Sequence, residues 1–275
     1  MLMNDHMPKY VEVPGGYLHV RTVGAGRDVV LCNAGSADLR MWGSTLAWLA
    51  RIARVTTFDY RDTGLSSVGT EPYSEVEDIA AVFDAAGVTD ALLLSVSDGA
   101  RRALAFAHRY PERVSRVVAV GGSFGPFPDP SPEETAARVP MLALFERIAE
   151  VRATEGMPAS AVLDIDGWGP MLERDERRLM IGLEVANSHL MTLPDEEYLG
   201  RELDPPVKTR FAELAVPVSV LVGSHDLPGT RLWSRRLAAQ APDAELTELP
   251  DADHFPMLSA PAEFERYVRE LLDRG

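Results

Sequence analysis

The stretch LLLSVSDGARRAL (Leu92–Leu104) runs from apolar residues into a small polar corner and then into helix-forming residues. It reads as a buried strand, a sharp turn and a helix. Two serines, Ser95 and Ser97, sit at the turn with one valine between them. A serine hydroxyl is a weak nucleophile and needs a base, with a third group to hold the base. One way to expose such a serine is a tight strand-to-helix turn. That turn lifts the hydroxyl above the sheet and points the first free helix N–H groups at a developing oxyanion. Backbones crowd there, so the residues two before and two after the nucleophile must be small. Ser97 has Ser95 before it and Gly99 after it, whereas Ser95 has Leu93 before it. Ser97 is therefore the candidate nucleophile and Ser95 a packing residue, in an S-x-S-x-G variant of G-x-S-x-G. Serine is also a favoured helix N-cap, and this segment alone reads equally well that way.

Where this corner is used, the partners follow in chain order, first Asp or Glu and then His. VSVLVGSHDLPGT places Asp226 just past an apolar run, and LPDADHFPMLSAP places His254 in the loop after the next short strand. His254 there could take the Ser97 proton while Asp226 fixes its tautomer. Each residue alone has an ordinary reading: Asp as turn former or cap, His as a solvated loop residue. It is their order, each at the end of a strand, that carries the argument. His225 directly precedes the candidate acid and is expected to point elsewhere.

Outward from the corner, the chain alternates strand and helix. Strands are expected near Tyr17–Val23, Asp28–Cys32, Arg54–Phe58, Ala91–Leu94 and Val117–Gly121, then again near Val216–Gly223 and Glu245–Leu249. Ser74 with Glu77 is a capping-box pattern, and Gly87 is a stop for the helix between them. Helices are expected at about Asp98–Arg109, Thr230–Ala241 and Pro261–Asp273. This is an α/β pattern: a mostly parallel central sheet flanked by helices. The rhythm breaks at the proline-rich GPFPDPSPEE (Gly125–Glu134). Helical periodicity alone follows to about Leu193. The expected organisation is a core of residues 1–123 and 209–275, with a helical insertion at 124–208 after the sixth strand. Such an insertion would cover the strand ends, where open parallel sheets bind ligands.

Composition narrows the partners. The 275 residues are 46% hydrophobic and carry a net charge of −15, from 27 basic and 42 acidic side chains. That sign disfavours nucleic acid and anionic membranes. Cys32 is the single cysteine, so no internal disulfide can form; at the end of a buried strand it reads as a structural thiol. The N-terminus is polar and no apolar run reaches membrane-spanning length. A soluble cytoplasmic protein is expected. No His, Cys and carboxylate cluster has metal-ligand spacing, and GGS at Gly121–Ser123 lacks a dinucleotide fingerprint, so neither metal nor cofactor is expected.

Taken together, VVLCNAG, FDYRDTGLSS, SVSDGA, VPVSVLVGSHD and DADHFP resemble the α/β-hydrolase family. From about Tyr17 to Leu272 the chain is similar to capped bacterial members such as 3-oxoadipate enol-lactonases and small carboxylesterases. The resemblance implies Ser97 as nucleophile, Asp226 as acid and His254 as base. It also implies an oxyanion hole from the N–H of Asp98 and one from the loop after the third strand, at Gly35 or Ser36. That loop carries Asn33-Ala34-Gly35 where the family usually has His-Gly. Asp59, Arg61, Gly64 and Ser66 match a family turn and read as structural.

For the pocket, Trp168, between two glycines, is the leading candidate, with Trp42 and Ser36 beside the oxyanion loop. Met41, Met180, Leu183, Asn187 and Leu190 either line the pocket or form a local core. The implied activity is a serine hydrolase, a carboxylic ester hydrolase acting on an ester or lactone of a small apolar molecule. The same triad could instead serve acyl transfer, carbon–carbon bond hydrolysis or a cofactor-free peroxide reaction. A ligand-binding receptor of the same fold is the non-enzymatic alternative. A homo-oligomer is compatible with all of these.

Overall fold

Valine-rich runs bounded by turn residues become strands, as β-branched side chains favour. The computed structural model describes residues 9–193 and 197–274. The N-terminal stretch at residues 1–8, read above as polar, lies outside the described residues. The strands of the main sheet are β1 (Lys9–Val13), β2 (Gly16–Gly24), β3 (Asp28–Cys32), β4 (Arg54–Phe58), β5 (Ala91–Val96), β6 (Val114–Val120), β7 (Val218–Gly223) and β8 (Ala244–Leu249). They form one eight-stranded sheet in the order β1-β2-β4-β3-β5-β6-β7-β8. β2 runs antiparallel to β1 and β4, and every other neighbour is parallel. Parallel strands covered on both faces need apolar residues at every position. β5 obeys this: Leu93 faces one core, with Val30 and Cys32, while Leu92, Leu94 and Val96 face the other, with Val29 and Leu31.

Helices α2 (Glu75–Ala86), α3 (Asp98–Arg109) and α8 (Pro228–Gln240) close the first face through Ile79, Phe83, Ala103, Leu104, Trp233 and Leu237. Helices α1 (Gly43–Leu49) and α10 (Pro261–Arg274), with the short α9 (Pro256–Ser259), close the second through Leu49, Met257, Phe264 and Val268. Between β6 and β7 lie α4 (Pro132–Glu155), α5 (Met157–Trp168), α6 (Arg174–Ala186) and α7 (Ser188–Thr192). The proline-rich entry to α4 ends in a reciprocal cap. Ser131 Oγ accepts from Glu134 N at 3.1 Å, and Glu134 Oε2 accepts from Ser131 N at 2.7 Å. No helix among the described residues is long and apolar enough to cross a membrane.

The edge strand β1 was not expected. Only Val11 and Val13 of its five residues are buried, too short an alternation to stand out in a polar context. The Asp59–Ser67 turn is structural, as expected. Asp59 accepts from Leu39 N, Leu65 N and His19 Nδ1. Arg61 makes a bidentate pair with Asp78 at 2.8 and 2.9 Å. Gly64 has φ 54°, and a Cβ there would lie 2.4 Å from the Asp59 carboxyl.

Backbones approach closely at Gly99 in α3. A Cβ there would lie 2.3 Å from Asn33 O and 2.5 Å from Cys32 O. Gly99→Ala thus sets two effects against each other. Helix propensity favours alanine by about 1 kcal/mol, while overpacking against rigid backbone costs about 1–3 kcal/mol and wins at these distances. The variant should unfold at lower urea concentration than wild type; an unchanged or higher midpoint would contradict the packing.

Candidate active site

Ser97 sits between β5 and α3 with φ 57° and ψ −123°, a conformation non-glycine residues rarely adopt. The turn is held by backbone bonds from Ser97 N to Val120 O at 2.8 Å and from Ser123 N to Ser97 O at 3.1 Å. Ser97 occupies the N-cap position of α3, but its side chain makes no capping bond. The N-cap reading left open by the sequence is therefore not what the hydroxyl does. Ser95 is buried, and its Oγ donates to Val118 O at 2.7 Å. It ties two strands together, as a packing residue would.

Asp226 and His254 lie in the loops after β7 and β8. Their side chains are buried, with His254 Nδ1 2.9 Å from Asp226 Oδ2. Asp226 Oδ1 accepts from Leu227 N at 2.7 Å. With the carboxylate as acceptor, Nδ1 carries the imidazole proton and Nε2 remains as the free acceptor. The two loops are stitched by His225 N to Ala252 O at 2.9 Å and Ser224 N to Leu249 O at 2.9 Å. Two glycines permit this contact. A Cβ on Gly223 would meet the carbonyls of Ala252 and Asp253 at 2.3 Å, and one on Gly121 would meet Asp226 Oδ2 and His254 Nδ1 at 3.0 Å. His225 points away, half-exposed, with Nε2 3.8 Å from Asp251.

Asp253 went unremarked in the sequence. It is fully buried and accepts from Phe255 N at 2.9 Å and from Met171 N at 3.0 Å. It fixes the histidine loop and ties it to the segment between α5 and α6. An Asp two residues before the Phe of DADHFP was the available signal.

Ser97 and His254 line one cavity of about 620 Å³, together with Gly35, Ser36 and Asp98. Asp98 is the first residue of α3, so its N–H has no carbonyl a turn back to bond. A Cβ on Gly35 would lie 3.3 Å from Asp98 Cβ, so the two segments adjoin. Trp168 lines the cavity and lies against the His254 ring, with centroids 4.5 Å apart and the ring planes tilted by 40°. Trp168 O also accepts from His254 N at 3.3 Å.

Trp42 is a correction. It does not line the cavity but is fully buried in the core, its Nε1 donating to Asn33 Oδ1 at 2.8 Å. Asn33, in the place of the family's usual histidine, donates in turn to Phe58 O at 2.7 Å. Leu190 lines the cavity, whereas Met180 and Leu183 are core residues. Asn187 is a brace: it accepts from Gly64 N and donates to Ser36 O at 3.1 Å and Asp38 Oδ2 at 3.2 Å.

The cavity is more charged than the sequence suggested. Burial alone would raise the Asp98 carboxyl, but the Arg101 and Arg102 guanidiniums hold it well below the usual carboxylate range. Both arginines also pair with Glu75, so they are not free for a ligand. Asp164 on α5 and Glu184 on α6 also line the cavity, near Arg152. Burial, then the neighbouring Asp164, pushes the Glu184 carboxyl up to about 9; burial likewise raises Asp164, against the pull of Trp168, Arg152 and His254. By contrast, Cys32 is an inert thiol, pushed up to about 12 by burial.

The Glu184 shift has a stability consequence. Its ordinary value is 4.5, against about 9 in the fold. Between those two pH values the native state keeps a proton that the unfolded chain has lost. Unfolding then releases a proton, and stability falls as pH rises through that window. Glu184→Gln removes the titration. It should flatten this decline and gain at least about 1 kcal/mol over wild type near pH 8. Urea midpoints measured from pH 5 to pH 9 check this; parallel curves for the two proteins would contradict it.

The model of the Alpha/beta hydrolase family matches residues 29–267. A Caulobacter segnis protein provisionally named as a carbamate hydrolase, RutD, is 27% identical, covering 90% of this chain and 92% of that protein. A pimeloyl-[acyl-carrier protein] methyl ester esterase of Chromobacterium violaceum is 27% identical, covering 93% of this chain and 98% of that one. The enol-lactonase of Burkholderia xenovorans LB400 superimposes with a TM-score of 0.71 at 25% identity, covering 96% of this chain and all of that one. The family match spans the parallel strands, the Ser97 turn and both loops just described, and the chain belongs to the alpha/beta hydrolase family.

Proposed function

We propose that the protein is a serine hydrolase that cleaves a carboxylic ester or lactone of a small, largely apolar molecule. The observation that carries this reading is the buried Asp226–His254 hydrogen bond, opening on the same cavity as the strained Ser97 corner. His254 Nε2 takes the Ser97 proton as Oγ attacks the carbonyl carbon. Asp226 holds Nδ1–H in place and stabilises the imidazolium that forms. The N–H groups of Asp98 and Gly35 donate hydrogen bonds to the carbonyl oxygen as negative charge develops on it. His254 then returns its proton to the leaving oxygen, and the acyl group stays on Ser97. Water, deprotonated by the same imidazole, cleaves the acyl-enzyme.

Phe145, Ile148, Ile165 and Leu190 supply the apolar wall. That suits a hydrocarbon-rich substrate, and in this reading the helices of residues 124–208 act as a cap. Relatives named as a methyl ester esterase and an enol-lactonase support the choice of bond. The single cysteine fits a reducing, cytoplasmic setting.

A fluorophosphonate probe tests the nucleophile. Wild type should be labelled and Ser97→Ala should not; labelling that survives in Ser97→Ala would overturn the assignment. Against a panel of p-nitrophenyl esters and simple lactones, Asp226→Asn should lower kcat by roughly 10²–10⁴-fold with little change in KM. An unchanged kcat would remove Asp226 from the mechanism.

A further inference from the structure

The charged side chains that line the cavity are engaged by the protein. Asp98, Arg101, Arg102 and Tyr198 bond to one another or to Glu75. Arg152 bonds to Ser160, and the Asp164 and Glu184 carboxyls bond to each other. The hydroxyls of Ser36 and Ser123 are different. Both residues line the cavity, half-buried, and neither hydroxyl has a hydrogen-bond partner among the described residues. A hydroxyl can donate one bond and accept two, so each is equipped to hold a small polar group.

The two flank the nucleophile on opposite sides. The sheet order through this region is β3-β5-β6-β7. The loop after β3 therefore brings Ser36 to one side of Ser97, and the loop after β6 brings Ser123 to the other. The oxyanion donors lie toward β3, since Gly35 adjoins Asp98. The base lies toward β6. A Cβ on Gly121, two residues before Ser123, would lie 3.0 Å from His254 Nδ1 and 3.2 Å from His254 Cε1. Cε1 is bonded to Nε2, so the proton-accepting nitrogen stands close to the end of β6. Ser123 is also tied to the elbow itself, its N–H donating to Ser97 O at 3.1 Å. Truncating the side chain leaves that backbone bond in place.

We propose that Ser123 is a catalytic residue of the second half-reaction, its hydroxyl holding the water that His254 deprotonates. The inference rests on the hydrolase reading above and extends it to deacylation. In the acyl-enzyme the leaving alcohol has gone, and water takes its place beside the imidazole. A bond to Nε2 alone lets that water swing. A second bond, to Ser123 Oγ, aims its oxygen at the acyl carbon. The water oxygen then bonds to the acyl carbon as its proton passes to Nε2. The tetrahedral adduct collapses: the C–Oγ bond breaks, Oγ recovers the proton from Nε2, and the carboxylic acid departs.

Single-turnover kinetics, with the full chain in excess over p-nitrophenyl butyrate, separate the two halves. Release of p-nitrophenol reads acylation, and quenched-flow mass spectrometry follows the butyryl adduct on Ser97. p-Nitrophenolate departs as a stable anion, so acylation asks little of Ser123. Ser123→Ala should slow acylation by less than about threefold and lengthen the life of the adduct roughly tenfold or more. Ser123→Thr keeps the hydroxyl and should return that lifetime to within about threefold of wild type. An adduct as short-lived in Ser123→Ala as in wild type would overturn the proposal. So would equal slowing of both steps, the mark of a structural role, or a threonine adduct as long-lived as the alanine one. Failure of the hydrolase reading looks different: wild type would then release no p-nitrophenol and carry no adduct on Ser97.

Discussion

A carboxylate and an imidazole sealed from water must satisfy one another, and the Asp226–His254 contact is where the strand ends of this sheet are made to agree. Burying either ionisable group alone costs several kcal/mol. Here the 2.9 Å bond between them, with the Leu227 N–H on the second carboxylate oxygen, offsets that cost. The bond can form only if the loops after β7 and β8 touch, and they touch only because residues 223 and 121 have no side chain. The same economy of atoms governs the elbow, where Gly99 lets α3 start against β3. Three glycines, far apart in the chain, therefore set the position of three polar side chains.

The acid at position 98 poses an electrostatic problem. Its N–H carries no helical bond, while its carboxylate is largely buried and needs a counter-charge. Arg101 and Arg102 supply it. Each binds Asp98 through Nε, at 2.6 and 2.7 Å, and Glu75 completes the cluster from α2. The carboxylate also sits at the N-terminal end of α3, where the helix dipole favours a negative charge. Arg101 and Arg102 are thereby committed to the protein.

How much of this was legible follows from how local each rule is. The elbow needs only residues 95, 97 and 99, so a steric argument over five positions separated Ser97 from Ser95. Asp226 and His254 were legible because adjacent parallel strands end at the same edge of the sheet, whatever lies between them in the chain. Trp42 was misread. Its neighbours Gly35 and Ser36 line the cavity, but the turn at Leu39–Trp42 rotates the indole inward, to Asn33. Asp164 and Glu184 look like the solvated faces of two helices, and only the packing of α5 against α6 buries them. Asn187 falls in the same class: its bonds to Ser36 and Gly64 cross more than a hundred residues. Nothing within a helical period announces such partners.

The convergence of Ser97, His254 and Asp226 is tested most directly by a crystal structure of the protein after reaction with a small alkyl fluorophosphonate. Phosphorus should be bonded to Ser97 Oγ, with the phosphoryl oxygen about 3 Å from the N–H groups of Asp98 and Gly35. His254 Nε2 should face the adduct, with Asp226 still on Nδ1. Phosphorus on any other side chain, or a phosphoryl oxygen turned away from residue 98, would contradict it.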